Sequence, residues 1–138
     1  MSINEIQDQI IDDFSFFDDW MEKYEYIIDL GKNLPVIEEA YKVEENLIKG
    51  CQSRVWLRAE MDNDKVKFTA DSDAVITKGI IGLLIQVLNG HSAEEIAKSE
   101  LYFIDKIGLK EHLSPTRSNG LLSMVKQMKL YGLALSNT

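Results

Sequence analysis

The single cysteine of this 138-residue chain, Cys51, has the strongest nucleophilic potential of any residue in the sequence. It follows Gly50, and glycine permits backbone angles that other residues rarely adopt, so the sequence predicts a thiol on a sharply turned loop. A free thiol titrates near ~8.5, so a neighbouring positive charge would be needed to raise its thiolate fraction at neutral pH. The alternative interpretation is a small buried side chain, which describes most lone cysteines.

Four basic residues could supply that charge: Lys49, Arg54, Arg58 and Arg117. The two histidines are candidates for a base beside the thiol, but neither has a spacing typical of metal ligands. We expect His91 to be solvated in the turn after Gly90, and His112 to lie in a loop before the last helix. The sequence predicts no metal site, and one cysteine excludes an intramolecular disulfide and a cysteine-ligated cluster within one chain.

Two further segments carry polar groups that could serve a site. Asp71 and Asp73 lie two residues apart at a predicted helix start, where helix capping accounts for them better than acid–base chemistry. Residues 114–120 are rich in small polar groups and contain Arg117. They are interpreted either as a capping loop with Pro115 in the first helical turn, or as a loop near the thiol in which Arg117 contacts an anion or a partner.

Composition narrows the function classes. Fifteen basic and 23 acidic residues give a net charge of −8, which argues against a nucleic-acid binder or a binder of anionic membranes. Residues 1–50 carry 13 acidic and 4 basic residues, and residues 51–138 carry 10 and 11, so the surface is either polarised toward a partner or acidic on one solvated face. The length suits a single domain over residues 1–138. No signal peptide is visible and no apolar stretch reaches the ~20 residues of a membrane span, so we expect a cytoplasmic protein.

Hydrophobic periodicity predicts the elements that position these residues. Apolar residues at spacings of three and four predict helices over about 3–14, 18–30 and 74–88 and after residue 114, with short helices from about 93 and over 102–107. Gly31 is predicted to end the second helix, and Gly79 with Gly82 to allow close packing of the third. Residues 55–61 and 66–70 alternate with a period of two around a turn at 62–64, which predicts a β-hairpin. The order predicts an α+β fold with helices on one side of a small antiparallel sheet.

The string Gly50-Cys51-Gln52-Ser53-Arg54-Val55-Trp56 resembles the signature around the active cysteine of the SufE family of sulfur-acceptor proteins. Three further blocks resemble the same family in the same order, at residues 20–35, 71–79 and 113–121. The resemblance covers about residues 3–135. It implies an α+β fold like that of IscU-type scaffolds, with a three-stranded antiparallel sheet whose third strand would be residues 46–49.

The resemblance also implies a function in iron–sulfur cluster assembly. Cys51 would take persulfide sulfur from a cysteine desulfurase of the SufS or CsdA type, stimulate that enzyme, and pass the sulfur to a SufBCD-type scaffold complex. The chain itself would bind no cofactor, because pyridoxal phosphate belongs to the desulfurase. Seven residues in or beside the matched blocks are candidates for shaping the thiol loop or contacting a partner: Gly50, Gln52, Ser53, Arg54, Asp73, His112 and Arg117.

Two other functions stay open. The chain could activate a desulfurase with Cys51 merely structural, or it could be a single-cysteine thiol peroxidase or transferase. An IscU-like cluster scaffold is disfavoured, because one thiol cannot ligate a cluster without other chains. A carrier persulfide is easily reduced or oxidised, so we expect Cys51 to be partly buried in the free protein. Whether the chain forms a homodimer is left open by the sequence.

Overall fold

The computed structural model describes residues 1–136, which form six α-helices and a two-stranded sheet in these residues. The helices are α1 Ile3–Ser15, α2 Trp20–Lys32, α3 Val75–Leu88, α4 Ala93–Lys98, α5 Phe103–Lys106 and α6 Pro115–Ser136. The strands are β1 Val55–Asp62 and β2 Lys65–Ser72. Short 3₁₀ helices lie at Glu39–Tyr41, Glu44–Asn46 and Lys110–His112. The α+β class and the hairpin predicted from the sequence are confirmed.

The hairpin places β1 directly after the cysteine loop. The strands are antiparallel, with Val55 opposite Ser72 at the open end and Asp62 opposite Lys65 at the turn. Asn63 takes a positive φ of 60° in that turn, a conformation that asparagine tolerates better than most residues. The alternation seen in the sequence puts one face of each strand into the core, where Val55, Leu57, Val66, Phe68 and Ala70 are fully buried.

The predicted third strand at residues 46–49 is wrong. Asn46 still belongs to a 3₁₀ helix, and the chain turns away again at Gly50, whose φ is +93°. Between these two bends only one β-bridge forms, from Leu47 to Trp56, supported by a hydrogen bond from the Ile48 N–H to the Val55 carbonyl at 2.8 Å. The segment is too short between its bends to add a strand to the edge of β1.

Helix α3 is the centre of the core, and α2 crosses it at close range. The crossing depends on glycine, because a Cβ added at Gly79 would lie 2.2 Å from the Ile27 carbonyl oxygen, and one at Gly31 would lie 3.0 Å from the Gly79 nitrogen. The close packing predicted for Gly79 is confirmed. The prediction that Gly31 ends α2 is wrong, since the helix continues to Lys32 and uses Gly31 as a contact surface.

His91 is buried rather than solvated, so that prediction is also wrong. Its ring nitrogens lie 3.3 Å from the Leu88 carbonyl oxygen and 3.0 Å from the Met1 carbonyl oxygen. The backbone of His91 also bridges to Val66 on the edge of β2. The turn after α3 is therefore closed by the N-terminal residues and by β2, which the local sequence does not reveal.

Candidate thiol site

Gly50 sets the conformation of the cysteine loop. Its φ of +93° is unfavourable for residues with a Cβ atom, and a Cβ there would lie 2.5 Å from the hydroxyl oxygen of Ser123. The loop consequently lies directly on α6. The backbone angle requires glycine at this position, whereas the close approach is to a hydroxyl that can rotate away.

Cys51 is half-buried against the same helix, as expected from the sequence. Its Sγ–H donates to the carbonyl oxygen of Gly120 across 3.6 Å. Burial raises the pKa of the Cys51 thiol above its ordinary value. The thiol is therefore held in its protonated, weakly nucleophilic form in the free protein.

The sequence led us to expect a positive charge that lowers the pKa of Cys51, but burial determines the direction of its shift. Arg58 forms an ion pair with Glu60 at 3.0 Å, and its guanidinium lies 3.9 Å from the ring centre of Tyr41. Lys49 is exposed two residues before the thiol. Of the four basic candidates, Arg117 is the one that lines the pocket beside Cys51.

The thiol opens onto a pocket of about 310 Å³ between the cysteine loop, the start of α6 and the first turns of α3. The pocket is lined by Cys51, Gln52, Ser53, Thr77, Ile80, Ser114, Thr116, Arg117, Gly120 and Met124. The predicted residues Gln52, Ser53 and Arg117 are thus brought together with Cys51. Gly120 belongs to the segment 114–120 that was interpreted as a loop near the thiol. Sequence reasoning missed Thr77, Ile80 and Met124, although Thr77 and Ile80 lie three residues apart on one helix face.

Residues 114–120 have the capping geometry that one interpretation predicted, and they lie near the thiol as the other predicted. Contact of Arg117 with an anion or a partner stays a prediction. The hydroxyl oxygen of Ser114 accepts a hydrogen bond from the Arg117 N–H at 3.3 Å, and Pro115 is the first helical residue. The same turn lies beside the thiol, since Ser114, Thr116 and Arg117 line its pocket. A capped helix start therefore forms one wall of the site.

The two aspartates do not cap α3, so the capping interpretation is wrong. Ala74 occupies the cap position, and its N–H is bound by the Ser72 hydroxyl at 3.3 Å. Asp73 instead accepts a hydrogen bond from the Arg54 N–H at 3.0 Å, which fixes the backbone just after the cysteine loop. The carboxylate is thereby used to hold the loop, whereas the Arg54 side chain is absent from the pocket lining.

Asp71 links the hairpin to the connector that precedes the cysteine loop. Its carboxylate pairs with Lys42 at 2.7 Å and with Lys78 at 3.3 Å. Burial opposes ionisation of Asp71, but hydrogen bonds from Lys42, the Ser72 N–H and Lys78 lower its pKa below the ordinary value. The Lys42 ammonium also lies 5.5 Å from the ring centre of Trp56 on β1.

His112 lies outside the thiol pocket. Its ring is stacked on Trp20 with centres 3.9 Å apart and an angle of 14° between the planes. The expectation that His112 lies in a loop before the last helix is refined, since it ends the 3₁₀ helix Lys110–His112. It does not touch Cys51, and neither does the buried His91.

The described part of the chain offers neither a membrane span nor a metal cluster. None of the helices within residues 1–136 has the length and apolar content needed to cross a membrane. Within the same residues, no three His, Cys, Asp or Glu side chains are grouped so that they could hold a metal ion.

The fold and the site together define a small α+β protein that carries one partly shielded thiol beside a pocket. The chain belongs to the SufE family, whose profile, described as "Fe-S metabolism associated domain", matches residues 8–131. The resemblance noted on the sequence motifs is thereby confirmed. The family places the protein in iron–sulfur metabolism.

Relatives with SufE-like names are similar in sequence to this protein over most of its chain. An uncharacterized SufE-like protein of Rhizobium meliloti (strain 1021) is 43% identical over 127 residues, covering 88% of this chain and 91% of the relative. The Arabidopsis thaliana protein "SufE-like protein 1, chloroplastic/mitochondrial" is 43% identical over 114 residues, which are 82% of this chain and 31% of the plant protein. A solution structure of a hypothetical protein from Thermus thermophilus has the same fold, with a TM-score of 0.81 at 20% identity over 96% of this chain and 97% of that one.

Proposed function

We propose that the protein is a sulfur carrier that accepts persulfide sulfur on Cys51 from a cysteine desulfurase. The observation that carries the proposal is the position of the thiol, alone on a glycine-turned loop, half-buried and opening onto a pocket of about 310 Å³. Membership of a family associated with iron–sulfur metabolism supports the same assignment. A carrier with one cysteine has no second thiol in the chain that could strip the sulfur off.

The transfer step is a thiol–disulfide type of exchange. The Cys51 thiolate attacks the terminal sulfur of the persulfide on the desulfurase, and a new S–S bond forms to Cys51 Sγ. The bond between that terminal sulfur and the desulfurase cysteine breaks, and its electron pair leaves with the desulfurase cysteine. The leaving thiolate takes up the proton that Cys51 released, so one sulfur atom moves without an external oxidant or reductant.

Cys51 is protonated and half-buried in the free protein, so the partner has to make it reactive. Burial raises the thiol pKa, and the Gly120 carbonyl accepts the S–H, so the nucleophilic thiolate is disfavoured in the free protein. Docking of the desulfurase has to draw the thiol away from Gly120 or supply a base or positive charge. The same shielding protects a bound persulfide from reduction and oxidation until the next acceptor arrives.

The wider pathway follows from the same proposal. The donor is a pyridoxal-phosphate desulfurase of the SufS or CsdA type, which this protein stimulates by removing its persulfide. The acceptor is a SufB-containing scaffold complex, and the reactions take place in the cytoplasm. Gln52, Ser53, Arg54 and Arg117 lie around the thiol loop, where they would meet either partner.

The experiment is sulfur transfer followed by mass spectrometry of the intact protein. The chain is incubated with free cysteine and either a SufS-type or a CsdA-type desulfurase. We expect Cys51 to gain one sulfur atom with the cognate enzyme, and Cys51→Ser to gain none. A sulfur adduct on Cys51→Ser would overturn the proposal.

Desulfurase turnover measured in the same mixtures separates a carrier from a mere activator. A carrier predicts that Cys51→Ser no longer stimulates the release of sulfur from cysteine. Full stimulation by Cys51→Ser would show instead that the protein is a binding module and that the thiol is structural. Peroxide consumption in the absence of any desulfurase would point to a thiol enzyme.

A further inference from the structure

Residues at the start of α2 contact the segment that precedes α6. We call the residues Trp20, Tyr24 and His112 the aromatic clamp. The Trp20 ring stacks on the His112 ring at 3.9 Å, and the Lys23 ammonium lies 4.7 Å from the centre of the Trp20 ring. The contact joins two parts of the chain that are far apart in sequence.

The clamp also holds the backbone of this segment. The Tyr24 hydroxyl donates a hydrogen bond to the His112 carbonyl oxygen. The His112 ring nitrogen Nδ1 lies 3.0 Å from the carbonyl oxygen of Gly108, which takes a positive φ of 72°. Both the side chain and the main chain of His112 are therefore fixed.

Two residues after His112, the chain forms the wall of the thiol pocket. Ser114 binds the Arg117 N–H through its hydroxyl and the Ser118 N–H through its carbonyl, at 3.3 Å and 2.8 Å. These bonds fix the first turn of α6, and the next turn presents the Gly120 carbonyl to Cys51. A shift of residues 110–113 would move this wall, because only Leu113 separates His112 from the Ser114 cap.

We infer that Trp20 and Tyr24 are positioning residues of the thiol site, which act through His112 to hold the α6 wall against Cys51. Neither residue touches the thiol or lines its pocket. Their effect is to keep Cys51 covered by α6 and paired with the Gly120 carbonyl. The inference deepens the proposed function and rests on it for the consequence that the clamp controls how readily Cys51 accepts sulfur.

The test is the rate of Cys51 alkylation by iodoacetamide as a function of pH, measured on the whole chain without any partner. Tyr24→Phe removes only the hydroxyl that binds the His112 carbonyl. We expect alkylation at neutral pH to become about threefold faster and its pH midpoint to fall, because a looser wall exposes the thiol and favours the thiolate. An unchanged rate and an unchanged midpoint would overturn the inference.

A matched control separates positioning from a general loss of stability. Tyr102→Phe also removes a tyrosine hydroxyl that joins separate elements, since the Tyr102 hydroxyl oxygen lies 2.7 Å from the Asp8 carboxylate and 3.1 Å from the Asn4 carbonyl oxygen. Tyr102 does not line the thiol pocket. We expect its alkylation profile to match that of the unaltered protein, and an equal acceleration in both variants would contradict a positioning role.

The stacking contact is tested with two substitutions at one position. His112→Ala removes the ring that stacks on Trp20, whereas His112→Phe keeps a flat ring there. We expect faster alkylation for His112→Ala and a profile close to that of the unaltered protein for His112→Phe. No rescue by phenylalanine would assign the positioning to the Nδ1 contact with Gly108, which both variants lose, and would contradict the role of the stack on Trp20.

The alkylation assay tests this inference independently of the proposed function. If Cys51 is not a sulfur carrier, the transfer assay fails in the unaltered protein, and the clamp still alters alkylation. If the clamp has no effect, alkylation is unchanged by Tyr24→Phe while sulfur transfer to the unaltered protein still proceeds. The two failures therefore give different patterns of results.

Discussion

The Sγ atom of Cys51 and the carbonyl oxygen of Gly120 lie 3.6 Å apart, although 69 positions separate the two residues in the sequence. A carbonyl oxygen accepts from a neutral thiol and repels a thiolate, so this contact favours the protonated form. Burial acts in the same direction on the pKa of Cys51. The protein therefore keeps its nucleophile inactive by the same contact that shields it.

The first prediction concerns the pH dependence of Cys51. Because burial raises its pKa, alkylation by iodoacetamide should rise with a midpoint above ~8.5, the ordinary thiol value. The chain unfolded in urea serves as the control and should titrate at the ordinary value. A folded midpoint at or below that of the unfolded chain would contradict burial as the cause.

The raised pKa of Cys51 also makes the free energy of unfolding depend on pH. A raised pKa in the folded state means that the contribution of Cys51 to the free energy of unfolding is complete below the ordinary thiol value and is lost as pH rises through the folded pKa. The difference in free energy of unfolding between the unaltered protein and Cys51→Ser should therefore shift against the unaltered protein in alkaline solution. Urea denaturation at neutral and alkaline pH measures this difference.

The second prediction compares two helical glycines. Gly79→Ala should lower the free energy of unfolding by about 2–3 kcal/mol, because its Cβ would lie 2.2 Å from the backbone oxygen of Ile27 and the helices α2 and α3 would have to separate. In Gly120→Ala the nearest atom is Cys51 Sγ at 3.4 Å, an ordinary contact. That substitution should raise the free energy of unfolding by up to about 1 kcal/mol through helix propensity. Urea denaturation distinguishes them, and equal effects would contradict the close crossing of α2 and α3.

The third prediction concerns the hydrogen bond that anchors the backbone after the thiol loop. Asp73→Ala removes the acceptor of the Arg54 N–H and should cost about 0.5–1.5 kcal/mol of free energy of unfolding. The loop should also become more mobile, so Cys51 should be alkylated faster at neutral pH. Asp73→Asn is the matched control, since its amide oxygen can still accept, and both properties should stay near those of the unaltered protein. Identical behaviour of the two variants would argue against the hydrogen bond as the cause.

The fourth prediction concerns the ion pairs that fasten the connector. Asp71→Asn removes the partner of Lys42 and Lys78 from a carboxylate site that is 14% exposed, and should cost about 1–3 kcal/mol. Glu39→Gln removes the other partner of Lys42 at a site that is 88% exposed and should cost less than about 0.5 kcal/mol. Urea denaturation at neutral pH measures both. Similar costs would show that the position of Asp71 confers no advantage.

The acid dependence of Asp71 provides a second measurement. Its pKa is lowered in the folded state, so its contribution is present above the ordinary carboxyl value near ~3.9 and is lost as pH falls through the folded pKa. The stability difference between the unaltered protein and Asp71→Asn should therefore shrink in acid. A difference that persists at the lowest pH would assign the effect to packing instead.

Local patterns were enough to predict most of the secondary structure. Helix α1, the hairpin of β1 and β2, and the short helix α4 depend on residues within a few positions of one another, and all three are present as expected. The prediction of a third strand was wrong because pairing along the edge of β1 depends on where the chain bends, at Asn46 and at Gly50. The extent of strand pairing is thus a property of the path of the chain, which alternation alone does not determine.

The sequence by itself determined the chemistry of this protein: one thiol, a glycine that turns its loop, and the motifs that mark the family. The tertiary structure decided the state of that thiol, because burial and the Gly120 carbonyl come from a helix far along the chain. It also separated residues that the sequence could only group as polar candidates. Arg117 lines the pocket, Asp73 holds the loop backbone, and His112 stacks on Trp20. These roles depend on distances between distant parts of the chain, and such distances are fixed only when the core packs.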